Sequence, residues 1–252
     1  MKTISIPRES AAEGSLILVN GQYPYRGEIS EKSYLPTRCS VSISLERRAA
    51  ILLSTLMDDI GGWSHICAIS GWRSNQEQQA IYERSLRENG TLFTEQYVAR
   101  PNHSEHHTGL AIDLGKMKRK IDFVCPDFPC CGICQVFREK AATYGFIERY
   151  PKGKEQITGI AYEPWHFRYV GAPHAAIMTE RGLALEEYHK FLKDYPKENP
   201  LLYQNGDRRF AISYAAAESD ACTKLEIDDD IPYLISGNNT DGFILTEWTS
   251  KC

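Results

Sequence analysis

Ser104-Glu105-His106-His107-Thr108-Gly109-Leu110-Ala111-Ile112-Asp113 and Glu163-Pro164-Trp165-His166 hold the side chains of this sequence best suited to chemistry. The first stretch offers a histidine and an aspartate seven residues apart; the second offers a histidine with a glutamate three residues before it. Two imidazoles and one carboxylate form a three-ligand set for a catalytic zinc, which keeps its fourth position open for water. A glutamate that sits beside such a metal without binding it is the usual general base for that water. His106, Asp113 and His166 are the candidate ligands, and Glu163 is the candidate base. His103 and His107 are close enough in sequence to be rival ligands, and residue type alone leaves that choice open.

These residues need elements to hold them. Pro101, Asn102 and Gly109 predict a loop over 101–109, and Leu110–Leu114 alternates as a strand that carries Asp113. A turn at Gly109 would then bring His106 back towards Asp113. Trp165–Val170 reads as a strand carrying His166. Glu163 and His166, three residues apart, would point to opposite faces of a flat strand. Pro164 lacks a ladder donor and argues against a regular central strand there, so a bend at Pro164-Trp165 is expected to lean Glu163 over the metal. Trp165 itself reads as a core aromatic. Upstream, Ile66–Ile69 is a buried strand that runs into Gly71-Trp72-Arg73. Ser74 with Glu77 three residues later forms a capping box opening a helix to Gly90. Arg73 therefore lies at a strand-to-helix junction, a rigid place from which to aim a guanidinium.

The remaining pattern predicts a loosely held polar segment over 1–13 and a strand at Leu16–Val19. A helix follows over Leu45–Ile60 with Ser44 as its N-cap, and others over Gln135–Tyr144 and Leu185–Leu192. β-like runs occupy Arg209–Tyr214 and Phe243–Trp248. Helices and strands mix without a βαβ rhythm, which predicts an α+β fold on a mainly antiparallel sheet.

Composition is that of an ordinary globular chain: 252 residues, 42% hydrophobic and 25% charged, with a net charge of −4. That balance gives no basic footprint for nucleic acid. The first residues lack a basic segment followed by an apolar one, and no run reaches the roughly 20 apolar residues of a membrane span. The expected location is the cytoplasm. Eight cysteines are present, four of them crowded as Cys125, Cys130, Cys131 and Cys134. No second Cys-x-x-Cys answers Cys131-x-x-Cys134, so free thiols are expected throughout.

The pattern Ser-x-His-x-x-Gly-x-Ala-x-Asp over residues 104–113, followed by Glu-x-x-His over 163–166, resembles the zinc D,D-peptidases that act on D-Ala-D-Ala ends of peptidoglycan stems. Gly71-Trp72-Arg73-Ser74, with Gln78 and Tyr82 beyond, is similar to the substrate-site segment of that family. The stretch Gly159–Gly171 and the lack of an anchor are most similar to the VanXY type, the bifunctional D,D-dipeptidase/D,D-carboxypeptidases of vancomycin resistance. The resemblance implies a single catalytic domain over 1–252, with a core at about 14–195 and a C-terminal extension at about 196–252. It implies a central sheet flanked by helices with the zinc site at the sheet, as in hedgehog-like zinc peptidases. The implied ligands are His106, Asp113 and His166, which leaves His103 and His107 as surface groups or Nδ1–H partners. Glu163 and Arg73 become catalytic, the latter stabilising the oxyanion of a tetrahedral intermediate. Ser104 and Gln78 fall where the family holds the substrate's terminal carboxylate and backbone. The implied substrates are D-Ala-D-Ala and D-Ala-terminated precursors. Rival readings are an L,D-carboxypeptidase acting on tetrapeptides and a non-catalytic peptidoglycan-binding module with a structural zinc.

Overall fold

The computed structural model describes residues 2–27, 32–34, 42–218 and 222–249. Its first elements are β1 (Lys2–Pro7), β2 (Lys32–Tyr34), β3 (Ser44–Glu46), α1 (Arg47–Asp59), β4 (Ile66–Ser70) and α2 (Asn75–Tyr97). There follow β5 (Ala111–Lys116), α3 (Gly132–Ala141), β6 (Phe146–Tyr150), α4 (Glu155–Thr158), β7 (Glu163–Tyr169) and α5 (Ala172–Arg181). The chain closes with α6 (Leu185–Leu192), β8 (Leu201–Asn205), β9 (Arg208–Ala216), β10 (Cys222–Ile227), β11 (Tyr233–Gly237) and β12 (Gly242–Trp248). Every strand pair among them is antiparallel, as an α+β fold requires. The chain divides into two compact units, Val19–Ala184 and the pair of segments Met1–Leu18 and Leu185–Cys252.

All the residues singled out for chemistry fall in Val19–Ala184. Its main sheet has the order β4-β5-β7-β6. Alternation along the strands buries Ile112, Leu114 and Phe167 in one cluster with Leu53 and Leu56 of α1 and Phe137 of α3. Phe128, Phe137 and Phe167 meet edge to face at centroid distances of 4.9–5.7 Å. Each such side chain contributes about 1.5–3 kcal/mol on burial, so this half of the core is a stiff base for whatever stands on the opposite side of the strands. Trp165 is buried in the same cluster, as a core aromatic should be.

Helix α1 begins later than its apolar period suggests. Ser44 does not cap it, because Ser44–Glu46 pairs with Lys32–Tyr34 as a strand. Glu46 takes the role, its carboxylate accepting from the Ala49 amide at 3.0 Å. Helix α2 does open on a capping box: Ser74 Oγ accepts from Glu77 N while Glu77 Oε2 accepts from Ser74 N. It does not stop at Gly90. A kink there (φ 80°, ψ 173°) is followed by a further helical stretch to Tyr97.

In the other unit, β1 pairs with β10, and the second sheet has the order β11-β12-β9-β8. The first residues are therefore held, contrary to the expectation of a loose segment. Ile6 packs with Leu225 and Phe243, a long-range pairing that local polarity could not reveal. The run from Leu16 is not a strand. Its backbone groups are met singly: Leu16 N donates to Ser236 Oγ (2.9 Å), His189 Nε2 to Leu16 O (2.8 Å), and Asn239 Nδ2 to Leu18 O (2.8 Å). Irregular partners satisfy these groups as well as a ladder would.

The cysteines also depart from expectation. Cys125, Cys130, Cys131, Cys134 and Cys222 are free, but Cys67 on β4 is disulfide-bonded. Cys39 and Cys252 lie outside the described residues. The crowded cysteines form no metal-binding group: among the described residues only His106, Asp113 and His166 do.

Candidate active site

The site is a row of side chains across the sheet. Ser70, Asp113 and His166 are direct cross-strand partners on β4, β5 and β7. Because directly opposed residues share a face, their side chains meet on the side away from the Phe167 cluster. His106 joins them from a short 3-10 turn, Glu105–Thr108, which ends at Gly109 with φ 69°. That left-handed position suits glycine and folds the turn back over the start of β5. The ligand atoms of His106, Asp113 and His166 all lie within 4.8 Å of one another.

Glu163 reaches the same place by an irregularity. On β6, one residue separates Glu148 from Tyr150; on β7, three separate their partners Phe167 and Glu163. The surplus at Pro164–His166 breaks the period of two, so Glu163 and His166 come to one side, with Glu163 Oε2 3.7 Å from His166 Nδ1. The bend falls where the missing proline donor allows it.

The protonation pattern around the cluster suits a cation. His106 Nδ1 lies 2.7 Å from the Gly71 carbonyl, which can only accept. The ring proton is therefore on Nδ1, and Nε2 turns its lone pair to Asp113 Oδ2 at 3.1 Å. Burial, with the nearby Arg73 charge, pushes His106 down to about 4, so the ring is neutral at pH 7. A lone pair and a carboxylate oxygen facing each other this closely call for a positive charge between them. On the other side Asp113 Oδ1 is 2.9 Å from His166 Nδ1. Burial alone would raise the Asp113 carboxyl, yet the two imidazoles hold it well below its usual range. Burial alone would lower His166, yet Asp113 lifts it to about 9. Without a metal, His166 acts as the counter-ion of Asp113; the two imidazoles and the carboxylate together fit a divalent metal.

Arg73 is half-buried beside this group, its Nη2 3.9 Å from Asp113 Oδ2. Burial lowers its pKa from the ordinary guanidinium value, with Asp113 opposing. Two short bonds fix the guanidinium: Nη1 donates to Gln78 Oε1 and Nη2 to Ser70 Oγ, each at 2.6 Å. Gln78 is itself anchored, its Nε2 donating to Ala99 O at 2.6 Å. Its amide thus aims Arg73, in addition to lining the cavity. His107 supports the backbone: its Nδ1 donates to Arg73 O at 2.8 Å, and its Nε2 accepts from Asn102 N at 3.2 Å. His103 donates from Nδ1 to Asn20 O at 2.7 Å, so neither histidine turns to the metal cluster. Gly71 allows the approach. A Cβ there would stand 2.4 Å from the Ser44 carbonyl oxygen, closer than any side chain tolerates.

Arg73, Gln78, His106, Asp113 and His166 share a cavity of about 220 Å³, lined also by Ser104, Glu163 and Tyr150. Ser104 is the N-cap of the 3-10 turn, but its hydroxyl makes no capping bond. Glu163 is only 6% exposed. Burial pushes its carboxyl up to about 8 against the pull of His166 and Arg73, with Asp113 adding to the push. Sequence reasoning missed Ser70, which binds Arg73, and Glu105, which contacts His166 through Nε2. It also missed Arg149 and Arg168, fully buried on Glu105. Ser70 left a signal three residues before Arg73; the buried arginines left none, because a strand arginine normally reads as an exposed one.

A three-ligand cluster in a cavity, with a buried carboxyl to move protons and a fixed guanidinium to meet negative charge, is the equipment of a metal-dependent hydrolase. Comparison with known proteins makes the class specific. The model of the VanY family, D-alanyl-D-alanine carboxypeptidase, matches residues 43–172, and the chain belongs to this family. It is 49% identical over 125 residues to VanXYC of Enterococcus gallinarum, a bifunctional D-Ala-D-Ala dipeptidase and carboxypeptidase; that match covers 49% of this chain and 66% of the relative. The crystal structure of the vancomycin-resistance D,D-dipeptidase VanXYg with a D-Ala-D-Ala phosphinate analogue is similar over 98% of each chain, at 48% identity and a TM-score of 0.93. The D,D-pentapeptidase VanY of a VanB-type cassette, solved as its E175A variant with Zn(II), matches 70% of this chain and 99% of its own, at 32% identity and a TM-score of 0.58. No helix among the described residues is long and apolar enough to cross a membrane.

Proposed function

We infer that this chain is a zinc-dependent peptidase that hydrolyses D-alanyl-D-alanine and removes the terminal D-Ala from peptidoglycan precursors, the activity behind glycopeptide resistance. The observation that carries the reading is the meeting, in one cavity, of the His106–Asp113–His166 cluster with Glu163 and Arg73. Likeness to the bifunctional VanXY proteins supports the D,D-specificity. Zinc is favoured by the two-imidazole, one-carboxylate donor set and by the zinc of the VanY relative.

The metal would be held by His106 Nε2, one Asp113 oxygen and His166 Nδ1. When bound, zinc supplies a Lewis acid that polarises the scissile carbonyl and makes water a nucleophile at neutral pH. Glu163, whose ionised form the positive charge of a bound metal would favour over the protonated form of the metal-free site, takes the proton from the attacking water and passes it to the departing D-Ala amine. Arg73, held by Gln78 and Ser70, places its guanidinium against the charge that develops on the carbonyl oxygen. The uncommitted Ser104 hydroxyl donates to the substrate's terminal carboxylate, with Gln78 at the same wall of the cavity. The chain is one catalytic domain over 1–252, with its core at about 14–195 and a C-terminal extension at about 196–252, and the compartment is the cytoplasm.

The test is D-Ala release from D-Ala-D-Ala and from a D-Ala-D-Ala-terminated pentapeptide, with and without a zinc chelator. Release that the chelator stops and added zinc restores is expected. Release only from a tetrapeptide with an L,D bond, or none at all, would overturn the reading.

A further inference from the structure

We propose that Glu105 is a positioning residue of the metal centre, its carboxylate selecting the Nε2–H form of His166 so that Nδ1 is left for the metal. This rests on the reading of His106, Asp113 and His166 as the metal site. Glu105 is 1% exposed, one residue before a ligand, and plays no part in the chemistry described above. Its Oε1 accepts from Arg149 Nε at 2.8 Å and forms an ion pair with Arg168 Nη1 at 2.9 Å, all with fully buried side chains. Two guanidiniums on one oxygen fix the rotation of the carboxylate and leave Oε2 turned towards His166 Nε2, 3.7 Å away. Neither of these two facing atoms has a hydrogen-bond partner among the described residues.

That distance is beyond a direct hydrogen bond, but at this burial a carboxylate charge decides which ring nitrogen carries the proton. Histidine ligands commonly present their second nitrogen to a carboxylate or a carbonyl, which fixes tautomer and ring orientation. His106 uses the Gly71 carbonyl in this way, and Glu105 gives His166 the equivalent. A purely structural need is a poor explanation for the cluster, since buried ion groups are often no more stabilising than apolar replacements of the same size. Its members lie on the turn before His106, on β6, and two residues after His166, so the cluster also ties the two ligand-bearing segments to one charge.

The experiment combines ¹H–¹⁵N two-bond spectra of histidine in the zinc-loaded parent with zinc affinity by chelator competition. The parent should carry the His166 proton on Nε2. Glu105→Gln should weaken zinc binding about 10–100-fold, while KM for D-Ala-D-Ala at saturating zinc stays near the parent value. The paired variant Glu105→Gln with Arg149→Met keeps the buried formal charge of the cluster at +1 and should show the same loss, which guards against misfolding of the single variant. A proton on His166 Nδ1 in the parent, or a folded variant with parent zinc affinity, would overturn the proposal. A parent that binds no zinc would instead overturn the metal reading beneath it.

Discussion

Glu163→Gln separates a catalytic carboxyl from a structural one, because it should move stability and activity in opposite directions. Gln keeps the volume and removes the ionisable proton. In the folded metal-free protein the Glu163 carboxyl sits at about 8, above its ordinary 4.5, mainly through burial. A carboxyl raised on folding binds its proton more tightly when folded. Its contribution to stability is fully present below the unfolded value and is lost as pH rises through the folded value. At pH 7 the unfolded carboxyl has been ionised for about 2.5 pH units, which costs the folded form on the order of 3 kcal/mol at about 1.4 kcal/mol per unit. Gln has no such cost. Urea unfolding of metal-stripped protein should therefore show the variant as the more stable at pH 7, with the gap closing towards pH 4. Zinc-loaded variant should meanwhile lose about 10²–10⁴ in kcat, the usual worth of a positioned proton acceptor. A stability gap that does not change with pH would refute the desolvation argument. Turnover at the parent rate with zinc in place would refute Glu163 as the base.

Arg73→Lys should cost on the order of 10²–10³ in kcat with zinc content unchanged, because an ammonium cannot reproduce the donor fork. Gln78→Ala should cost less than Arg73→Lys, since Ser70 still holds the other guanidinium nitrogen; equal losses would mean that Gln78 acts on the substrate rather than through Arg73. Blocking the substrate's C-terminus as an amide should damage turnover far more than changes several residues upstream, and equal cleavage of amide and acid would contradict the Ser104 assignment. Thiol titration of unfolded, non-reduced protein should find at most six groups, the eight cysteines less the pair that includes Cys67; eight would contradict the disulfide.

Local chemistry made much of this protein readable from its residue order. A buried apolar run marked β4, alternation marked β5, most of β7 was also readable, and the Ser74–Glu77 capping box marked the start of α2 to the residue. The types and spacing of His106, Asp113, Glu163 and His166 were enough to suggest a metal and a base, since those chemistries admit few side chains. What stayed hidden depends on partners far away in the chain. Pairing with Cys222–Ile227 orders the first strand, and pairing with Lys32–Tyr34 turns Ser44 from a cap into a strand residue. The three-against-one irregularity between β7 and β6 brings Glu163 beside His166, where a flat strand would part them. Register decides that Ser70, Asp113 and His166 form one row. Burial then converts ordinary side chains into unusual ones: Arg149 and Arg168 become the fixed partners of Glu105, and Glu163 becomes a carboxyl that holds its proton near neutrality. Type and spacing are local properties, whereas register and desolvation come into being only when distant strands close over one another and exclude water.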